Sequence, residues 1–197
     1  MPERAAVHRP SSDLDVRPAT AADAAAIARV YNQGIADRQA TLETEPRPAA
    51  ERAAWLAGRE PRHPVLVAAR GGAGEIVGWA SLNLFNPRPA YRFVGDLSVY
   101  VERAARGTGV GTALLAALTA EARRLGYHKL VLAAFPFNAA GMRLYRRAGF
   151  REVGIYREQG QLDGRWVDTV VMELLLGTEP PAENGEGRGG GNARTPH

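Results

Sequence analysis

The chain has 197 residues, a length that favours one domain with a core large enough to need neither disulfide nor metal support. It has no cysteine, which excludes a disulfide framework, a thiolate metal site and a cysteine-borne acyl-enzyme; no apolar run is long enough to cross a bilayer and residues 1–15 lack the apolar stretch of a secretory signal, so the cytoplasm is the expected location. The formal net charge of +4 comes from 25 basic residues, of which only Lys129 is lysine; so many guanidinium forks suit a phosphate- or carboxylate-bearing ligand, and their scatter argues against nucleic acid.

Residues 1–13 and 178–197 are rich in small, polar and proline residues without apolar periodicity, and are expected as a flexible N-terminus and a disordered tail around a domain at 14–177. The domain opens with a strand at 14–17, after which Thr20 caps a helix to about Asp37. Residues 38–46 read as an exposed loop, and Pro48 starts a short helix with Ala53, Trp55 and Leu56 on its apolar side. Runs at 65–70 and 76–85, separated by Gly71, Gly72, Ala73 and Gly74, form a hairpin that Asn86 to Pro89 ends. A strand at 92–101 leads through 102–108 into a helix on which Val110, Leu114, Leu115, Leu118, Ala122 and Leu125 keep helical spacing, closed by Gly126. A strand at 129–134, a helix at 138–147 and strands at 152–159 and 166–174 complete an α/β or α+β domain, a mixed sheet flanked by helices.

The most specific feature is Arg106-Gly107-Thr108-Gly109-Val110-Gly111-Thr112, between a strand and an amphipathic helix. Glycines let the backbone approach a ligand closely, and the free N–H groups of the helix's first turn carry the positive end of its dipole, so a pyrophosphate fits. A P-loop requires lysine and Ser or Thr after its last glycine, but the chain continues Thr112-Ala113-Leu114. The dinucleotide fingerprint fails too, because Leu114 replaces its third glycine and the next strand ends in Phe135 and Pro136 instead of an acid.

A second block runs from Asn138 through Tyr145 to Phe150. Asn138 and Tyr145 are seven residues apart and share a helix face, so one ligand can touch both; equally, Asn138 is an ordinary helix cap and Tyr145 a core aromatic. Together the two blocks resemble the acyl-CoA segments of the GNAT superfamily of N-acetyltransferases. Over residues 16–175 the chain is most similar to the phosphinothricin acetyltransferase group, including relatives acting on arsinothricin. The segments that carry this are Tyr31-Asn32-Gln33-Gly34-Ile35, Arg88-Pro89-Ala90-Tyr91-Arg92, Ser98-Val99-Tyr100-Val101 and Gly164-Arg165-Trp166-Val167-Asp168. Asp96 stands where that group usually has glutamate, and Val167 where some members have histidine.

The resemblance implies a GNAT-type mixed, mostly antiparallel sheet and acetyl transfer from acetyl-CoA, without a metal. An ammonium cannot attack a thioester until it loses a proton, so a base or a proton route is needed. His8 and His197 fall in the expected loose ends, and His63 and His128 lie at element edges where a solvated role is expected. Asp96 lies on the side of its strand that carries Ser98 and Tyr100. It is either an ion-pair partner of an arginine or, by the resemblance, the base, acting directly or through water.

The resemblance further assigns Val99, Tyr100 and Val101 to the cofactor, with Val99 and Val101 pairing with the pantetheine arm like another strand and a backbone N–H stabilising the oxyanion. The cofactor set is completed by Arg106, Gly107, Thr108, Gly109, Val110, Gly111, Thr112, Asn138 and Tyr145, with Tyr145 a candidate acid for the departing sulfur. Tyr31, Asn32, Arg88, Tyr91, Arg92, Trp166 and Asp168 are the substrate candidates: arginine for a carboxylate or phosphinate, aromatics for the pocket walls. Tyr91 and Trp166 are equally compatible with core positions. The implied substrate is a small amino-acid analogue, phosphinothricin-, arsinothricin- or methionine sulfone/sulfoximine-like, acetylated as a resistance mechanism by a homodimer. Acetylation of a protein or peptide amine and a non-catalytic acyl-CoA sensor are the alternatives.

Overall fold

The computed structural model describes residues 14–71 and 74–177. The two ends expected to be flexible, and Gly72 and Ala73 of the hairpin turn, lie outside the described residues. Among these, strands β1 (Leu14–Pro18), β2 (Val65–Arg70), β3 (Glu75–Leu84), β4 (Val94–Val101), β5 (Lys129–Ala134), β6 (Arg151–Leu162) and β7 (Arg165–Leu175) form one sheet in the order β1-β2-β3-β4-β5-β7-β6. Only β4 and β5 run parallel, so the sheet is mixed and mostly antiparallel, as the resemblance implies.

Helices α1 (Ala24–Ala36) and α2 (Ala49–Ala57) cover one face, and α3 (Val110–Arg124) and α4 (Ala139–Arg147) the other. The period of two along β2 divides the core: Val65, Val67 and Ala69 pack with Ile27, Val30 and Trp79 under α1, whereas Leu66 and Ala68 join Leu114, Leu115 and Leu118 of α3. The apolar stripe of α3 is buried as its spacing requires, and Gly126 follows that helix at φ 76°, a left-handed stop. Element ends differ where local polar bonds intervene. Asp23 accepts from Thr20 N at 2.7 Å and from Arg17, so a 3-10 turn at Ala21–Asp23 precedes α1. A second turn at Pro89–Tyr91 delays β4 to Val94. β6 runs past its expected end to Leu162 because its pairing with β7 resumes at Gly160 after a bulge, and β7 exceeds its expected bounds by one residue at each end.

Candidate active site

The site begins with an interrupted pairing. β4 and β5 pair only through Val94↔Lys129, Gly95↔Leu130 and Asp96↔Val131, and then diverge. Asp96 is thus the last residue before the sheet opens. A small cavity of about 60 Å³ occupies the split, lined by Leu97, Ser98, Val99 and Tyr100 on one side and Ala133, Ala134 and Phe135 on the other. A larger cavity of about 430 Å³ adjoins it, sharing Val99, Tyr100, Asn138 and Tyr145.

The larger cavity reaches the start of α3. Gly107 (φ 78°) and Gly109 (φ 92°) take left-handed conformations that glycine alone adopts freely, and a Cβ on either would meet no atom within 4 Å. The loop therefore faces open space at the positive end of a 15-residue helix. Gly111 differs: its Cβ would lie 3.1 Å from Leu144 Cδ2, so a small residue there lets α3 approach α4. Of the cofactor candidates, Val99, Tyr100, Val101, Arg106, Gly107, Gly109, Gly111, Thr112, Asn138 and Tyr145 line this cavity; Thr108 and Val110 do not. Thr108 is held by the Ala105 carbonyl and by Arg70, and Val110 is buried in the core.

Asn138 serves as the N-cap of α4, accepting from Gly141 N at 2.9 Å, and also lines the cavity. Tyr145 likewise packs against Phe150 and lines both cavities. Burial and the nearby Asp96 push its phenol up to about 12. Asp96 forms no ion pair among the described residues, and desolvation raises its carboxyl to about 6. Its side-chain partner is Asn83, whose Nδ2 donates to Oδ2 at 3.3 Å. Asp23 shows the contrast: beside Arg17, with bonds of 2.8 Å, its carboxyl falls to about 2.

None of the substrate candidates lines either cavity. Tyr31 sits behind Tyr100, edge-on at 4.9 Å, in an aromatic group with Trp79. Both ends of the Asn32 amide bond the Arg47 backbone, which ties α1 to the start of α2. Tyr91 leans on Phe85, and Arg92 lies over the Phe93 ring at 4.2 Å. Arg88 is exposed on the same connection. Asp168 accepts from Arg157 and from Glu158 N, fixing the β6 bulge where Glu158 has φ 49°. Trp166 is 58% exposed and Tyr91 36%, so neither is a core aromatic. His63, expected to be solvated, is mostly buried beside Glu60.

Sequence reasoning missed the roof. Gln39 and Ala40 line both cavities, and their flanks reach the β6–β7 hairpin: Arg38 Nε bonds Asp163 at 3.0 Å, and Leu42 covers Gly160. It also missed Asp37, which bonds Arg103 and Arg106 at 2.5 and 2.6 Å, and Arg143 and Arg147 of α4. The last two were detectable as exposed cations one turn apart on a helix already assigned to the ligand.

Comparison with known proteins agrees with this geometry. The sequence profile described as Acetyltransferase (GNAT) family matches residues 28–150. An L-methionine sulfoximine/L-methionine sulfone acetyltransferase of Pseudomonas aeruginosa is 38% identical over 162 residues, covering 82% of this chain and 94% of the relative. A phosphinothricin N-acetyltransferase of Streptomyces coelicolor is 32% identical, covering 84% of this chain and 98% of its own. Among solved structures, an acetyltransferase from Salmonella typhimurium with its cofactor acetyl-CoA superposes with a TM-score of 0.80 at 33% identity, over 88% of this chain and 99% of that one. The chain belongs to the acetyltransferase (GNAT) family of enzymes.

Proposed function

We propose that this acetyltransferase moves an acetyl group from acetyl-CoA to the primary amine of a small amino-acid analogue, of the phosphinothricin, arsinothricin or methionine sulfone/sulfoximine type, and thereby detoxifies it in the cytoplasm. The observation that carries this reading is that two adjoining cavities, which share Val99, Tyr100, Asn138 and Tyr145, run from the N-terminus of α3 to the split where β4 and β5 part after Asp96, although Asp96 itself lines neither. The names of the relatives point to the same substrate class. The roof favours an enclosed ligand over a peptide groove, because Arg38–Asp163 and Leu42 against Gly160 hold residues 39 and 40 across the site.

The chain suits an acyl-CoA. The open space at Gly107 and Gly109, at the positive end of α3 and with Arg106 lining the cavity beside it, suits a pyrophosphate, and the free edge of β4 beyond Asp96 offers Val99 and Val101 to the pantetheine arm. Arg143 and Arg147 add positive charge at the other wall. When bound, the cofactor supplies a thioester. Asp96 takes the proton that the substrate ammonium must lose, directly or through water, and the freed amine nitrogen bonds the acetyl carbon as the carbon–sulfur bond breaks. Tyr145, whose phenol burial and Asp96 push up to about 12, gives its proton to the departing sulfur.

Arg88 and Arg92, on the exposed connection between β3 and β4, are the candidate grips for the substrate's acid; Tyr31 supports the cavity only from behind Tyr100, and Asn32, Tyr91, Trp166 and Asp168 stay outside both cavities. A homodimer is part of the proposal: β6 is an edge strand, and Val153, Ile155, Tyr156 and Trp166 are exposed on it and on β7. The test is a thiol-release screen. Phosphinothricin, methionine sulfone or methionine sulfoximine should exceed lysine-bearing peptides in kcat/KM. Peptides outcompeting every analogue would establish the protein-acetylase alternative, and acetyl-CoA binding without turnover on any amine would establish the sensor.

A further inference from the structure

On the α1–α2 face, β3 and β4 place polar side chains opposite one another. Ser81 is the register partner of Ser98, and Asn83 of Asp96. Asn83 is the hub: its Oδ1 accepts from Arg59 Nη1 at 3.2 Å and from Ser81 Oγ at 3.0 Å, while its Nδ2 donates to Asp96 Oδ2 at 3.3 Å and Ser98 Oγ at 3.2 Å. Arg59 is itself fixed. It donates to the His63 carbonyl at 2.7 Å and to the Leu82 carbonyl, and its guanidinium lies over Trp55 at 4.8 Å.

We propose that Arg59 and Asn83 form a positioning relay for Asp96, in which the guanidinium fixes the orientation of the amide and the amide fixes the carboxylate at the point where the β4–β5 pairing ends. The chemistry leaves one arrangement. A guanidinium only donates, so the amide oxygen must face Arg59, and the NH₂ is then obliged to face Asp96 and Ser98. A flipped amide would set a donor against a donor and an oxygen against a carboxylate. The inference rests on Asp96 being the base.

The relay resolves a conflict in the base's requirements. A cation in direct contact would hold the carboxylate firmly but make it a poor base, as Arg17 does to Asp23. A neutral amide holds it by one bond and leaves its proton affinity high. Among the described residues, the other groups around Asp96 do not supply a counter-charge: β5 presents Val131, α4 presents Tyr145, and on its own strand the Leu97 N–H donates to it. Behind Asn83, desolvation depresses Arg59, and desolvation together with the neighbouring Arg59 and Arg62 depresses His63.

The test compares the pH profile of kcat/KM on methionine sulfone with a carbon-13 titration of the Asp96 carboxyl in the free enzyme. Asn83→Leu removes the donor that favours the ionised form, so the acidic limb and the carboxyl titration should both move up by about one pH unit. Arg59→Met should move them in the same direction by freeing the amide to turn, and Arg59→Lys, which keeps a cationic donor, should restore most of the wild-type value. The double variant Asn83→Leu/Arg59→Met should shift no further than Asn83→Leu alone, because the arginine acts through the amide. Additive shifts, or a titration that neither single substitution moves, would overturn the relay even if both variants lose activity or stability. Asp96→Asn separates the two claims. Wild-type turnover in that variant would remove Asp96 as base, whereas the carboxyl titration in the Asn83 and Arg59 variants still reads the relay by itself.

Discussion

Replacing Asp96 by asparagine should make the enzyme worse and the fold better. Burial raises the folded carboxyl from 3.8 to about 6, and at 1.36 kcal/mol per pH unit such a shift corresponds to about 3 kcal/mol of destabilisation once the group is ionised. The sign follows from the raised value: the folded state holds the proton more tightly than the unfolded state. The carboxyl therefore costs nothing below about pH 4, and its cost grows until the folded group has ionised, above about pH 6. Asparagine never ionises, so the variant should match the wild type near pH 4 and exceed it by about 1–3 kcal/mol at pH 8, the lower bound allowing for burial of the new amide. Over a chain of this size that is a rise in Tm on the order of 2–10 °C. Thermal unfolding at pH 4, 5, 6, 7 and 8 measures it. Turnover should fall about 100-fold or more while acetyl-CoA affinity is kept. A stability difference independent of pH, or a wild type as stable as the variant at pH 8, would refute the reasoning from desolvation.

Gly109→Glu places a side chain at φ 92° and an anion at the start of α3; calorimetry should show acetyl-CoA affinity falling about 10-fold or more, with the fold retained by circular dichroism. Tyr145→Phe removes a phenol that stays protonated, so kcat should fall by about 10-fold or more without a new basic limb in the pH profile; unchanged kcat would reduce Tyr145 to packing. Arg88→Ala and Arg92→Ala should identify the grip on the substrate's acid, since loss of a charge-assisted bond raises KM by about 10-fold or more in one of them. Glu173, buried between Lys129 and Arg151, is a structural charge; Glu173→Gln should cost about 2 kcal/mol or more in urea unfolding and leave KM unchanged.

The glycine loop, the stripe of α3 and the alternation of β2 were legible in the sequence because each depends on local geometry. A left-handed residue before a helix, a period near 3.6 and a period of two need no knowledge of what lies across the fold. Alternation also placed Asp96 with Ser98 and Tyr100, as the ladder to β3 confirms. The partner of Asp96 was not legible. Sequence left an arginine ion pair open, but which of the 25 basic residues reaches a strand is a question of register and packing. The structure sets Asn83 opposite Asp96 and keeps Arg59 one residue behind it. Desolvation is equally non-local, so the elevated carboxyl of Asp96 and the depressed one of Asp23, two aspartates on one chain, separate only in three dimensions. The motif segments show the same limit. Asn32 and Asp168 lie in stretches that mark the family, yet the fold uses the first to tie α1 to α2 and the second to fix a bulge. Sequence determined the chemistry that the chain can offer, through residues whose roles follow from their neighbours in the chain. Only the tertiary structure decided which of them face the opening between β4 and β5, because that opening exists only where the pairing of two distant strands stops.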